Sequence, residues 1–184
     1  MIGQRNRIRE GVTVHRSTTA GGVTSVGSDC FLMAGVHVAH DNRIGDGAIL
    51  ANNVALAGHV EIGERAFLGG YAGVHQFCRV GRLAMIGGQA KVVQDCLPFV
   101  ITDGNPARAR GLNTVGLKRA GIPSADRRTL KEAYRMLLRA GLSLESSMES
   151  LSALGSPLVD ELVAFVKSSK RGFAHTAPDV SHLA

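Results

Sequence analysis

An aliphatic residue stands at every sixth position from Val26 to Val92, through Leu32, Val38, Ile44, Leu50, Leu56, Ile62, Leu68, Val74, Val80 and Ile86. The same register reaches back to Val14, Ile8 and Ile2. Gly follows the marker at Gly27, Gly45, Gly63 and Gly81, which lays an eighteen-residue period over the six-residue one. An α-helix repeats every ~3.6 residues and a strand every ~2, so neither yields both periods together. A solenoid does, with three flat sides of six residues per coil and equivalent positions stacked rung upon rung.

That shape accounts for the composition. Trp is absent and aromatic residues make up 4% of the chain, which is too few for an ordinary globular core. A narrow prism needs Ile, Leu, Val and Ala instead. A second phase, four places after each marker, holds small residues, among them Val36, Ala48, Val54, Ala66, Ala72, Ala84 and Ala90. Cys30, Cys78 and Cys96 share that phase and read as buried core residues. Cys78 and Cys96 lie eighteen apart and should stack about one strand spacing from each other. A reducing compartment argues against a bond between them. No apolar run approaches the ~20 residues that span a membrane, so the expected setting is cytoplasmic.

The first coil is longer than the rest. Ile2-Gly3 to Val26-Gly27 is twenty-four residues, six more than one period, and the surplus falls in residues 17–22, Ser-Thr-Thr-Ala-Gly-Gly. Such a stretch leaves the prism as a loop. Four regular coils follow, 26–43, 44–61, 62–79 and 80–97, and Pro98 ends them because it cannot donate to a ladder. The division expected is a solenoid over residues 1–103 and, over 104–184, a basic linker and a helical domain. The linker, Asp103 to Gly111, reads as irregular. Helices are predicted from Ser124 to a stop at Gly141, over Ser143–Leu154, and over Pro157–Ser169, with a disordered tail after Gly172.

Charge separates the halves. Residues 1–103 carry nine Lys/Arg against eight Asp/Glu, whereas residues 104–184 carry twelve against seven. A basic second half suits an acidic partner or a phosphorylated ligand. Nucleic acid is not expected, because no recognised binding motif is present.

Five of the seven histidines, His15, His37, His40, His59 and His75, lie in the solenoid, none at a core phase. The eighteen-residue period stacks His40 under Gly58 and Gln76, and Asp41 under His59. With the insertion subtracted, His15 enters the column of His75. One edge therefore gathers His40, Gly58, His59, His75 and Gln76 within about two rungs, ~10 Å. An imidazole beside a carboxylate, as in His40-Asp41, suits general-base work. Gly58 has no Cβ to shield its N–H, and such an amide can stabilise an oxyanion in acyl transfer.

The hexapeptide register resembles the left-handed parallel β-helix acyltransferases. The stretches LMAGVHVAHDN, ILANNVALAGHVEIG, GGYAGVHQFCRVG and GNPARARGLNTVGLKRAGI are similar to one family among them, the acyl-carrier-protein–UDP-N-acetylglucosamine O-acyltransferases of lipid A synthesis. The likeness runs from Ile2 to about Gly172. It implies a mainly β fold, the left-handed parallel β-helix with a C-terminal α-helical domain. It implies transfer of a 3-hydroxyacyl chain from acyl carrier protein to the 3-hydroxyl of UDP-N-acetylglucosamine, without metal or cofactor, in clefts of a homotrimer. His40 then matches the general base, Asp41 the carboxylate beside it and Gly58 the oxyanion donor. His15, His37, His59, His75 and Gln76 match positions lining the sugar and acyl groups, while Asn113 and Arg119 match positions that reach the nucleotide.

The family's solenoid begins several coils earlier and carries there a basic residue for the nucleotide phosphates. The expectation is therefore either a truncated chain or a short relative with altered substrate binding. Val115 stands where some relatives place an acid near the uracil. Gly87-Gly88 is either a small pair that admits a long acyl chain or a requirement of tight corners. Arg79, Arg82, Arg108, Arg110, Lys118 and the Arg127/Arg128/Lys131/Arg135 helix are candidate docking charges for acyl carrier protein. Two other readings share the histidine edge: an inactive or altered-specificity binding solenoid of the same family, and a zinc-dependent β-helix carbonic anhydrase, which bound zinc would reveal.

Overall fold

In the computed structural model, which describes residues 1–138 and 143–176, the six-residue register becomes a three-walled prism. Each side of a coil is a two-residue strand whose second residue, the marker, points inward. The first wall stacks Arg7–Ile8, Phe31–Leu32, Ile49–Leu50, Phe67–Leu68 and Met85–Ile86. The second stacks Thr13–Val14, His37–Val38, Ala55–Leu56, Gly73–Val74 and Lys91–Val92, and the third Ser25–Val26, Arg43–Ile44, Glu61–Ile62 and Arg79–Val80. All these pairings are parallel, and partners are eighteen residues apart, as in Phe31↔Ile49 and His37↔Ala55. Below the insertion they are twenty-four apart, as in Thr13↔His37, which confirms where the surplus leaves the coil. The winding is the left-handed parallel β-helix.

The markers Leu32, Leu50, Leu56, Leu68, Ile86 and Val92 are wholly buried, with the small phase of Val36, Ala48, Ala66 and Ala84 between them. Cys30, Cys78 and Cys96 are buried free thiols in that phase. Because each marker rests on its equivalents above and below, a cavity in one coil is felt by both neighbours. Leu50→Ala is expected to cost about 2–5 kcal/mol, read from the urea midpoint. A loss under about 1 kcal/mol would mean that the stack is not close-packed.

The corners carry the strain. From Val26 to Ile86 the third residue after each marker takes a left-handed backbone, including Asp41 (φ 62°), His59 (φ 59°) and Phe77 (φ 63°), none of which is glycine. Each such amide donates to the coil below, His59 N to the His40 carbonyl at 3.1 Å and Phe77 N to that of Gly58 at 3.2 Å. These bonds offset a conformation that L-residues otherwise avoid.

Three expectations change past the coils. The stretch read as an irregular link is a β-hairpin, Val100–Gly104 paired antiparallel with Ala107–Leu112, and its first strand joins the first wall beside Met85–Ile86. Ala107 and Ala109 are buried while Arg108 and Arg110 turn outward, so the link alternates as a strand does. The ladder thus passes Pro98, and the expected 103/104 boundary falls inside the hairpin. A short helix, α1 (Thr114–Arg119), follows and was not foreseen. After it come α2 (Ser124–Leu138), α3 (Leu144–Ser152, capped by the Ser143 hydroxyl) and α4 (Pro157–Lys167). The predicted stop at Gly141 lies outside the described residues. The tail is ordered at least through Thr176: Phe173 is buried, and Ala174 N donates to the Asp95 carbonyl at 2.9 Å. Residues 177–184 lie outside the described residues.

The helices share a second core with the prism's upper end, joining Leu83, Leu97 and Phe99 to Leu117, Leu130, Tyr134 and Leu162. Arg79 and Arg82 hold the same junction. Arg79 pairs with buried Asp95 at 2.8 Å and donates to the Phe165 carbonyl at 2.9 Å, and Arg82 pairs with Glu161 at 2.7 Å. Both are therefore internal struts rather than free docking charges.

Candidate functional site

The corner joining the second wall to the third is built from residues 39–42, 57–60 and 75–78, and stacking places His40, Gly58 and Gln76 in one column with Asp41, His59 and Phe77 beside it. At its centre, His40 Nδ1 lies 2.8 Å from Asp41 Oδ2. A proton on Nδ1 donated to that carboxylate leaves the Nε2 lone pair outward. The imidazole rests over Gly58: a Cβ there would stand 2.6 Å from His40 Nε2 and 2.5 Å from Cε1. Only glycine lets the ring lie flat on that rung. Among the described residues the Gly58 N–H has no protein acceptor.

Asp41 is nearly enclosed. Ser17 Oγ donates to Oδ1, and Thr18 Oγ1 and Thr18 N donate to Oδ2 at 2.8 and 3.2 Å. The Ser17 hydroxyl first, and then His40, hold this carboxyl well below the usual carboxylate range, against the opposing effect of desolvation. It therefore stays ionised at any pH at which imidazole can act as a base. His59 Nε2 lies 3.8 Å from Asp41 Oδ2, its ring edge-on to His40 at 5.2 Å and stacked on Phe77 at 4.7 Å. Phe77, half exposed, escaped the sequence reading, although its place directly above His59 in the eighteen-residue column was available there.

His37 and His15 sit lower, on the second wall, edge-to-face at 4.7 Å. Thr13 Oγ1 meets His37 Nδ1 at 2.7 Å, and burial together with His15 pushes the His37 imidazolium pKa down. His75 and Gln76 are exposed one rung above Gly58. Two recesses flank the corner. One, of about 550 Å³, is mostly apolar and follows the second wall past His37, Ala55, Ala57, Gly73 and His75. The other, of about 530 Å³, is charged and lies on the third wall between Arg43, Glu61, Arg79, Lys170 and Arg171, with Asp41 and His59 at its rim.

Asn113 and Arg119 are not brought to this corner within one chain. Asn113 is the N-cap of α1, its Oδ1 accepting from Gly116 N at 3.0 Å and its Nδ2 donating to the Leu83 carbonyl at 2.9 Å. Leu83 belongs to the corner between the third and first walls, a different edge of the prism, and Arg119 is exposed at the end of α1. Gly87 is buried against the Asp103 side chain, which a Cβ would strike, and Gly88 is exposed; neither has a left-handed backbone.

The donor atoms of His40, Asp41 and His59 lie within 4.8 Å of one another, close enough to hold a metal ion. The hydrogen bonds favour proton chemistry instead, because Asp41 Oδ2 already takes His40 and Thr18 while Oδ1 takes Ser17. No helix among the described residues is long and apolar enough to cross a membrane.

Comparison with known proteins bears on the family and the fold. Domain 2 of the UDP N-acetylglucosamine O-acyltransferase profile matches residues 95–174, and the six-repeat bacterial transferase hexapeptide profile matches residues 24–58. The chain is 48% identical over 155 residues to an acyl-[acyl-carrier-protein]–UDP-N-acetylglucosamine O-acyltransferase of Verminephrobacter eiseniae. That match takes in 84% of this chain and 59% of the relative, so the chain spans little more than half of that protein's length. Among solved structures, the UDP-N-acetylglucosamine O-acyltransferase of Moraxella catarrhalis superposes with a TM-score of 0.91 at 42% identity, covering 95% of this chain and 69% of that one. The Campylobacter jejuni acyltransferase gives a TM-score of 0.90 at 38% identity, with 96% and 70% covered.

Proposed function

Since the chain belongs to the UDP-N-acetylglucosamine O-acyltransferase family, we propose that it transfers a 3-hydroxyacyl group from acyl carrier protein to the 3-hydroxyl of UDP-N-acetylglucosamine. The observation that carries this reading is the placement of His40. Its Nδ1 is tied to Asp41 at 2.8 Å, and its Nε2 lies over the rung of the unpartnered Gly58 amide. A base and an oxyanion donor thus share one face.

His40 Nε2 takes the proton of the sugar hydroxyl as that oxygen adds to the thioester carbonyl. Asp41 fixes the ring and stabilises the imidazolium. The carbonyl electrons move onto oxygen, and the Gly58 N–H donates a hydrogen bond to the resulting oxyanion. Collapse of the tetrahedral intermediate breaks the C–S bond, and the departing thiolate takes the proton back from Nε2. Nothing in this sequence calls for a metal, a cofactor or a covalent enzyme intermediate.

The second-wall recess is apolar enough for the acyl chain, with His37 and His75 along it and His15 packed against His37, while His59, Gln76 and the charged third-wall recess suit the sugar and phosphate groups. Asn113 and Arg119 lie on another edge of the same prism, so contact with the bound nucleotide requires a neighbouring subunit. That separation suits a homotrimer with clefts between subunits, and an acyl-carrier-protein donor suits a cytoplasmic setting.

The test is thioester-dependent acylation of UDP-N-acetylglucosamine by the purified chain. No acyl-sugar product at any substrate concentration would overturn the reading in favour of a binding solenoid. The exposed cations Arg110, Lys118, Arg128, Lys131 and Arg135 remain for the acidic carrier protein. Raising salt from 50 to 300 mM is therefore expected to increase the apparent KM for acyl carrier protein severalfold. A salt-independent KM would remove these residues from docking.

A further inference from the structure

We propose that Ser17 and Thr18, at the mouth of the six-residue insertion, are positioning residues that clamp the Asp41 carboxylate and through it aim His40. The proposal deepens the acyl-transfer reading and rests on it for its kinetic arm.

Asp41 occupies a left-handed corner, and its carboxylate is held by nothing from its own coil except His40. The insertion supplies the rest. Ser17 Oγ donates to one oxygen, and Thr18 donates twice to the other, from Oγ1 at 2.8 Å and from its N–H at 3.2 Å. Where the loop rejoins the coil, buried Thr24 accepts the Asp41 N–H at 2.7 Å. The two ends of the insertion thus bracket one residue. A carboxylate with an unsatisfied oxygen can rotate away from the imidazole, whereas one bonded on both oxygens cannot.

The loop is itself built to present Ser17. Thr19 N–H donates to Ser17 Oγ at 3.0 Å, and the hydroxyl proton has a closer acceptor in Asp41 Oδ1 than in the Thr19 carbonyl at 3.2 Å. Gly22 closes against that hydroxyl, where a Cβ would come within 2.2 Å of Ser17 Oγ. The Gly in this otherwise expendable stretch is therefore explained by the clamp. Thr18 Oγ1 also reaches His40 Nδ1 at 3.5 Å, too long to compete with its bond to Asp41. The titratable groups facing Asp41 are His40 and His59, and Arg43 lines the recess beside them. Both loop residues lie at the surface or half-buried, so their replacement spares the core.

The experiment compares Ser17→Ala/Thr18→Val with Thr18→Ser, Gly22→Ala and the parent chain. The double variant should lose about 10–100-fold in kcat with either KM changed less than about twofold, as expected for support of a working group. Thr18→Ser keeps the hydroxyl and should keep activity, whereas Gly22→Ala, which touches no reacting group, should fall with the double variant. In an Asp41→Ala background the loop substitutions should change kcat by less than about twofold, because the residue they act through is gone. A carboxyl-carbon NMR titration needs no turnover: the Asp41 midpoint should rise by about one pH unit in the double variant, since donors to the ionised form are lost. An inactive parent chain would overturn the acyl-transfer reading, while the titration would still decide the clamp. An unchanged midpoint, or loop effects as large without Asp41 as with it, would overturn the clamp.

Discussion

His40→Ala is expected to lower kcat for acylation of UDP-N-acetylglucosamine by about 10²–10⁴-fold, the range lost when a positioned base is removed. KM should move little, because the role proposed for the ring is on the proton of the attacking hydroxyl rather than in holding the sugar. Loss of folding is not a competing explanation. His40 lies half-buried on a corner outside the buried stack, and its backbone carbonyl, which accepts His59 N at 3.1 Å, is kept in the variant. His59 is the one neighbour that could substitute, being 3.8 Å from the same carboxylate. Its ring is stacked on Phe77 at 4.7 Å and, at 3.8 Å, makes no hydrogen bond to Asp41. A His40→Ala enzyme with more than about a tenth of parental kcat would therefore refute the assignment of the base. A His40→Ala/His59→Ala pair would show whether His59 had taken over.

The placement of His40 could be read from the chain because a solenoid converts sequence separation into height. Once eighteen residues make one coil, His40, Gly58 and Gln76 must share a column, and no side-chain detail is needed. The same arithmetic located the insertion and put His15 below His75. What it could not supply is anything set by an irregular segment. Ser17 and Thr18 lie in six residues that have no partner one period away, so the register says only that they leave the prism. Their return to grip Asp41 depends on loop torsions that no period encodes.

The hairpin Val100–Leu112 was missed for the opposite reason. Its alternation of Ala107 and Ala109 with Arg108 and Arg110 is a plain strand signal, masked by the Gly104-Asn105-Pro106 stretch, which reads as a linker when taken alone. Arg79 and Arg82 show a third limit. A charge count cannot distinguish a cation that faces solvent from one tied to Asp95 or Glu161, and Glu161 is seventy-nine residues from its partner. Asn113 was legible as a residue but not as a cap, because α1 is short and has no apolar period of its own.

Gly58→Ala is the sharper test of the proposed geometry, because it adds one methyl group and removes nothing. The backbone at this position is not in the left-handed region, so alanine is conformationally allowed and the coil should persist. The added Cβ would sit 2.5 Å from His40 Cε1 and 2.6 Å from Nε2, distances no real contact sustains. The ring must swing away, and in doing so it gives up its 2.8 Å bond to Asp41. The methyl also stands beside the amide proposed to donate to the oxyanion. Base and donor are thus disturbed together, and the expected loss is about 10²–10³-fold in kcat, comparable to deleting an oxyanion donor. The two effects separate in a His40→Ala background, where there is no ring to displace. If Gly58 matters only as the floor under His40, adding Gly58→Ala to His40→Ala changes nothing further. If its N–H stabilises the tetrahedral intermediate, the double variant falls below His40→Ala alone by about tenfold or more. The second outcome is expected, and a Gly58→Ala enzyme within about twofold of the parent would remove Gly58 from the reaction altogether.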